Sequence, residues 1–161
     1  MTSPKELEAK LWDALEDDRT VMLGLEGNDG GHIHPMTAMS ENHHAPIWFF
    51  TSSDTELARQ LASPRKGFAT FASKDHELFA TMHGTLQVDT DRAVVDRLWN
   101  RFTAAWFEGG KDDPKLRLLR FDATEAEVWL NEHSLLAGVK MLLGVDPKKD
   151  YQDKVGEVDL R

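Results

Sequence analysis

Three consecutive hydroxyl residues, Thr51, Ser52 and Ser53, follow directly on an apolar run, Ile47-Trp48-Phe49-Phe50. A hydroxyl run that opens a helix directs donors toward an anion, and the aromatic run beside it offers a flat apolar wall. Upstream, His34-Pro35-Met36 opens another short strand. An apolar wall next to an anion cradle outlines a site for a phosphorylated aromatic cofactor. Other reactive groups are less well arranged. His32, His34, His43 and His44 could ligate a metal as neutral imidazoles. His43 and His44, however, are adjacent in an expected turn, and no acidic residue completes a familiar ligand pattern. A metal site is not expected. His83 beside Gly84 reads as a structural strand histidine, and Asp17-Asp18 and Asp112-Asp113 as solvated loop charges. No Ser-His-Asp triad or carboxylate pair can be assigned from spacing.

Composition narrows the function classes. A chain of 161 residues, 40% hydrophobic and 29% charged, can bury a core as one domain. That domain is expected over residues 1–145, N-terminal helix included, with residues 146–161 as a polar tail that could add an edge strand. Nineteen basic against 28 acidic side chains give a net charge of −9, which disfavours nucleic acid and anionic membrane. The absence of cysteine excludes disulfides, thiol catalysis and cysteine-ligated metal. The first residues lack the apolar core of a signal peptide and no apolar run approaches a membrane span, so a cytoplasmic location is expected.

The elements that must position these groups follow from periodicity. Ser3, Pro4 and Glu6 form a capping pattern, and Leu7, Leu11, Trp12 and Leu15 fall on one face of a helix over residues 3–16. Residues 20–26 read as a strand and residues 27–31 as a turn. The next strand, residues 33–39, returns antiparallel, and Pro35 requires an edge position or an interrupted ladder. Residues 41–46 connect to the Ile47-Phe50 strand. That strand is apolar on both faces, so a second sheet, a partner subunit or a flat ligand should cover its outer side. Ser53-Asp54-Thr55-Glu56 has capping-box spacing for a short helix that Ser63-Pro64 stops. Residues 67–73 and 78–88 are strands, and Gly84 marks a bulge or a close backbone approach. Val95, Leu98, Trp99, Phe102 and Trp106 predict a helix of about four turns starting at Thr90 or Asp91, with Trp106 at its exposed end. Residues 116–121 and 127–130 read as a long hairpin or one bent strand, and residues 134–143 as an apolar helix closed by Gly144. Short strands in meander order with flanking helices predict an α+β, barrel-like fold.

An ordered set of short motifs carries a family resemblance over residues 20–130. The set is His34-Pro35-Met36, Ile47-Trp48-Phe49-Phe50-Thr51, Ser63-Pro64, Gly84 with Asp89, Leu98-Trp99, Trp106-Phe107, Gly109 with Asp112-Asp113-Pro114, and Ala126-Glu127-Val128-Trp129. In these pieces the chain resembles the split-barrel flavin-binding proteins related to pyridoxamine 5′-phosphate oxidase, in the general stress protein 26 branch. The resemblance implies an antiparallel split β-barrel and a homodimer with two flavin sites at its interface. It implies FMN, with FAD as the alternative, held by His34, Pro35, Met36, Thr37, Trp48, Phe49, Phe50, Thr51, Ser52 and Ser53. Trp106 and Phe107 would approach from the aromatic end of the long helix, on the same or the partner subunit. Two positions depart from the family. His34 stands where the family usually has arginine, and Leu57 where it often has lysine. Both departures remove fixed positive charge, which Arg59, Arg65, Lys66 or protonated His34 would have to replace.

The resemblance therefore implies a flavin-dependent oxidoreductase linked to general stress, acting on a small redox partner. Pyridoxamine phosphate oxidation is not expected, because no second basic set for a substrate phosphate can be identified. The alternative is a non-catalytic protein that stores, sequesters or senses flavin. A third reading keeps the barrel and substitutes haem, with His34, His43, His44 or His83 on the iron.

Overall fold

The computed structural model describes residues 2–27, 32–131 and 155–161. Most of the turn expected over residues 27–31, and the helix expected over residues 134–143, fall outside these. Helix α1 (Pro4–Asp17) begins with the capping box that its sequence predicts. The Ser3 hydroxyl accepts from the Glu6 amide at 3.2 Å, while the Ser3 amide donates to the Glu6 carboxylate at 2.9 Å. Leu7, Leu11, Trp12 and Leu15 are all buried. Among the described residues no helix is long and apolar enough to cross a membrane.

Among the described residues, eight antiparallel strands follow. They are β1 (Thr20–Leu25), β2 (Ile33–Thr37), β3 (Met39–Glu41), β4 (His44–Ser52), β5 (Arg65–Ala72), β6 (Leu78–Val88), β7 (Leu116–Leu130) and β8 (Val155–Asp159). The hydrogen-bonded order is β2-β1-β5-β6-β7-β4-β3. Its two outer members, β2 and β3, are consecutive in the chain and separated only by Ala38. A sheet whose edges are joined by one residue must curl on itself. The fold is accordingly an α+β split barrel. Pro35 lies on edge strand β2, where its missing N–H costs no inner ladder bond. The strand expected over residues 33–39 is thus two strands, broken where Ala38 turns from one side of the barrel to the other.

The β3–β4 connection is tighter than residues 41–46. Only Asn42 and His43 lie outside the strands, and both have positive φ, 57° and 56°. A two-residue turn with this backbone matches the twist of its flanking strands, and His43 is tied to Glu16 at 2.8 Å. β7 is one strand of 15 residues, with β6 along one side and β4 then β8 along the other. At Gly84 both anticipated features occur. The β6–β7 register shifts between His83 and Gly84, and a Cβ on Gly84 would sit 2.1 Å from the Asp122 carbonyl oxygen.

Alternation along β4 divides the interior in two. Ile47 and Phe49 point into the barrel core beneath α1, while Trp48 joins a second cluster with Met39, Val94, Val95, Phe107, Leu116 and Leu118. The outer face of β4 is therefore covered by the chain itself, through α3 (Arg92–Leu98) and the segment after it. Arg97 clamps α3 to the β3 edge with two bonds to the Glu41 carboxylate, at 3.0 and 3.1 Å.

The long helix after Thr90 is not continuous. Asp91 caps α3, which ends at Leu98, and Trp99 is extended. Asn100 then starts a separate short helix, α4 (Arg101–Ala104), by accepting from the amides of Phe102 and Thr103, both at 2.9 Å. An asparagine competes for backbone donors in a helix interior and satisfies them at a helix start. The break leaves Phe102 71% exposed, whereas the continuous helix would place it in the core.

Gly84→Ala is expected to lower stability by about 2 kcal/mol or more, because its new methyl meets backbone that cannot swing away. Urea unfolding followed by tryptophan emission would measure the loss; an unchanged midpoint would show that the β6–β7 contact relaxes freely.

Candidate functional site

A cavity of about 660 Å³ opens between the barrel seam and α4, a size suited to a cofactor or small ligand. One wall is β2 with Pro35, Met36 and Thr37. The other is the end of β4, with Phe50, Thr51 and Ser52. Met39 floors it next to the seam, and Asn100, Phe102, Thr103, Trp106 and Phe107 close it from the α4 side. The strands supply a rigid frame, since β4 is hydrogen-bonded on both sides. Trp106 stands 84% exposed at the rim, whereas Phe107 is buried and packs at an angle against Trp99.

Polar groups in the cavity divide into engaged and available. Thr55 is the true cap of the short helix α2 (Glu56–Arg59), accepting from the Ala58 amide and donating to the Ser52 carbonyl. Ser52 donates to Asp54 at 2.6 Å, and Lys115 approaches the same carboxylate at 3.4 Å. Ser52 and then Lys115 hold the Asp54 carboxyl below its usual range. Ser53 gives its amide to the Lys115 carbonyl. The hydroxyl run is thus largely spent on its own turn, and α2 begins two residues later than its capping-box spacing predicts. By contrast, the Thr37 hydroxyl and the Arg19 guanidinium have no partner among the described residues. Arg19 is the sole charged side chain among the described residues that line the cavity.

Most of the sequence-derived set meets here: Pro35, Met36, Thr37, Phe50, Thr51, Ser52, Trp106 and Phe107. His34, Trp48, Phe49 and Ser53 do not line the cavity. His34 stacks on His32 along β2, with ring centroids 6.4 Å apart. Trp48 and Phe49 lie in the second cluster and the barrel core. No histidine is among the described lining residues; His43 is bonded to Glu16 and His83 to Glu26. Asp113, read as a solvated charge, is a structural acceptor. Amides of Lys115 and Gly109 bond to its carboxylate and keep its carboxyl below the usual range, fixing the loop after Phe107.

Comparison with other proteins agrees with this geometry. The family model for pyridoxamine 5′-phosphate oxidase-like proteins matches residues 6–151. The chain belongs to that family. A general stress family protein from Xanthomonas campestris pv. campestris has a similar structure, with TM-score 0.78 and 58% identity over 84% of this chain and 94% of that one. The general stress FMN/FAD binding protein from Xanthomonas citri gives 0.77 and 57%, over 81% and 93%. A general stress protein 26 from Jannaschia sp. gives 0.79 and 29%, over 96% and 99%. No functionally curated protein matches the chain.

Against the family pattern, Arg59, Arg65, Lys66 and His34 do not line the cavity. Leu57, at the position where the family often has lysine, is buried in the barrel core. Arg19 sits between α1 and β1, among acidic residues and far in sequence from the rest, so spacing alone does not assign it to the site. Asn100 carried a usable signal, its capping preference within an otherwise helical pattern.

Asn100→Ala should cost about 1 kcal/mol and fray α4, while Asn100→Asp retains the cap. Thermal unfolding of both variants separates the outcomes; equal melting of Ala, Asp and wild type would mean α4 is held by packing alone.

Proposed function

We propose that this chain binds a flavin, FMN or FAD, in the cavity beside the barrel seam and serves as a flavin-dependent oxidoreductase of the general stress type. The carrying observation is the cavity itself. Its two strand walls and aromatic rim are the positions that the family resemblance singles out. The similarity to a general stress FMN/FAD binding protein supports the same reading.

The lining fits such a group chemically. Met36, Met39, Phe50 and Phe107 form apolar and aromatic surface for a flat ring, and Phe102 and Trp106 stand exposed at the rim to cover it. Among the described residues β2 pairs with β1 alone, so its outward backbone groups can bond to polar edges of a ring. The Thr37 hydroxyl, without a partner among the described residues, adds a side-chain donor and acceptor. When bound, a flavin supplies hydride or electron transfer. The chain contributes orientation and exclusion of water. A second copy completes the site by covering the open rim around Phe102 and Trp106, giving a two-fold dimer.

One observation also favours a non-catalytic flavin carrier. No carboxylate or histidine is among the described residues lining the cavity, so these walls offer no general acid or base. Pyridoxamine phosphate oxidation is not proposed, since one cation cannot serve both a cofactor and a substrate phosphate.

Titration with FMN and FAD should quench flavin or tryptophan emission to saturation near one flavin per chain, and Trp106→Ala should weaken binding roughly tenfold. A folded chain that binds neither flavin would end this reading. Repeated reduction by a nicotinamide donor and reoxidation in air separates enzyme from carrier. In sedimentation at micromolar concentration a dimer is expected; monomer alone would remove the shared site.

A further inference from the structure

We infer that Arg19 is the anion anchor of this cavity and makes the chain select phosphorylated flavin over the bare ring system of riboflavin. The inference rests on the flavin reading of the site and adds a specificity residue to it. Arg19 is the sole charged group among the described lining residues, in a chain whose net charge is −9. An anionic ligand entering against that overall field needs a local cation, and the described lining residues carry no carboxylate to oppose it. A guanidinium presents a planar fork of donors that matches phosphate oxygens in pairs.

The competing anion sites are occupied or misplaced. Within the hydroxyl run Thr51 bonds to Thr55 and Ser52 donates to Asp54, and the carboxylates of Asp54 and Glu56 stand at the start of α2, where they would repel a phosphate. Lys115 is engaged by Asp54. Arg65 reaches toward Gln60 and the Glu26 carbonyl, at the other end of β1. Arg19 instead has a guanidinium with no partner among the described residues, on an anchored backbone whose carbonyl accepts from the Ala38 amide at 2.7 Å. That bond places it beside Thr37, whose hydroxyl is also unengaged and whose strand position faces Thr20. The barrel seam therefore delivers a cation and a hydroxyl donor to one end of the cavity, in place of the charges lost at His34 and Leu57.

The test is the affinity of the full chain for FMN and for riboflavin, measured by fluorescence titration, in wild type, Arg19→Gln and Arg19→Lys. Arg59→Gln and Lys66→Gln are controls that remove the same charge outside the cavity. Wild type should prefer FMN by roughly 10- to 100-fold. Arg19→Gln should abolish that preference with riboflavin affinity unchanged, Arg19→Lys should keep part of it, and both controls should keep it all. Added salt should weaken FMN binding to wild type relative to its effect on Arg19→Gln. Retention of the FMN preference by Arg19→Gln, equal loss for both ligands, or matching losses in the controls would overturn the assignment. Wild type that binds FMN and riboflavin equally overturns the role of Arg19 alone, whereas wild type that binds neither overturns the flavin reading as well.

Discussion

Closure of the barrel through a single residue is the constraint on which the rest depends. β2 and β3 belong to opposite edges of the sheet, yet only Ala38 separates them. The crossing is pinned by the bond from the Ala38 amide to the Arg19 carbonyl and by burial of the Ala38 methyl. It leaves one side of β2 unpaired among the described residues and opens the cavity directly beside it. Without that crossing, Pro35-Met36-Thr37 and Phe50-Thr51-Ser52 would have no reason to face each other.

The cavity also depends on how β4 and the segment after β6 share apolar surface. β4 is buried on both faces, with Ile47 and Phe49 inside the barrel and Trp48 beneath α3. Covering that outer face requires α3 to lie flat, which the Arg97–Glu41 clamp reinforces at the exposed edge. The chain must then turn to bring Phe107 back under the same cover. Asn100 makes the turn by ending one helix and capping the next. As a result the aromatic side chains at helical spacing separate, Trp99 onto the second cluster and Phe102 and Trp106 into solvent at the cavity rim.

Electrostatics sharpens the site more than overall charge suggests. Carboxylates near the cavity are held in local bonds: Asp54 by Ser52 and Lys115, and Asp113 by the amides of Lys115 and Gly109. Each is stabilised in its ionised form by donors that belong to turns and not to the ligand space. What remains facing the cavity is apolar surface, hydroxyls and one arginine. Such a lining suits the flat ring and anionic substituent proposed for it, and the described lining residues hold no carboxylate or histidine.

The sequence by itself determined whatever repeats over a few residues. The capping box of α1 and its buried face, the strand character of β1 and β4 to β6 and the Gly84 bulge were all legible. Each rests on local periodicity, capping or backbone freedom, which the chain carries wherever it folds. Tertiary structure decided the rest. Only the curled sheet shows that β2 and β3 are one interrupted strand and that the outer face of β4 is covered by α3. Only the packed structure shows that the hydroxyl run bonds within its own turn and that Arg19 reaches the cavity. These outcomes depend on which distant groups compete for the same donor or apolar surface, and spacing along the chain holds no record of that competition.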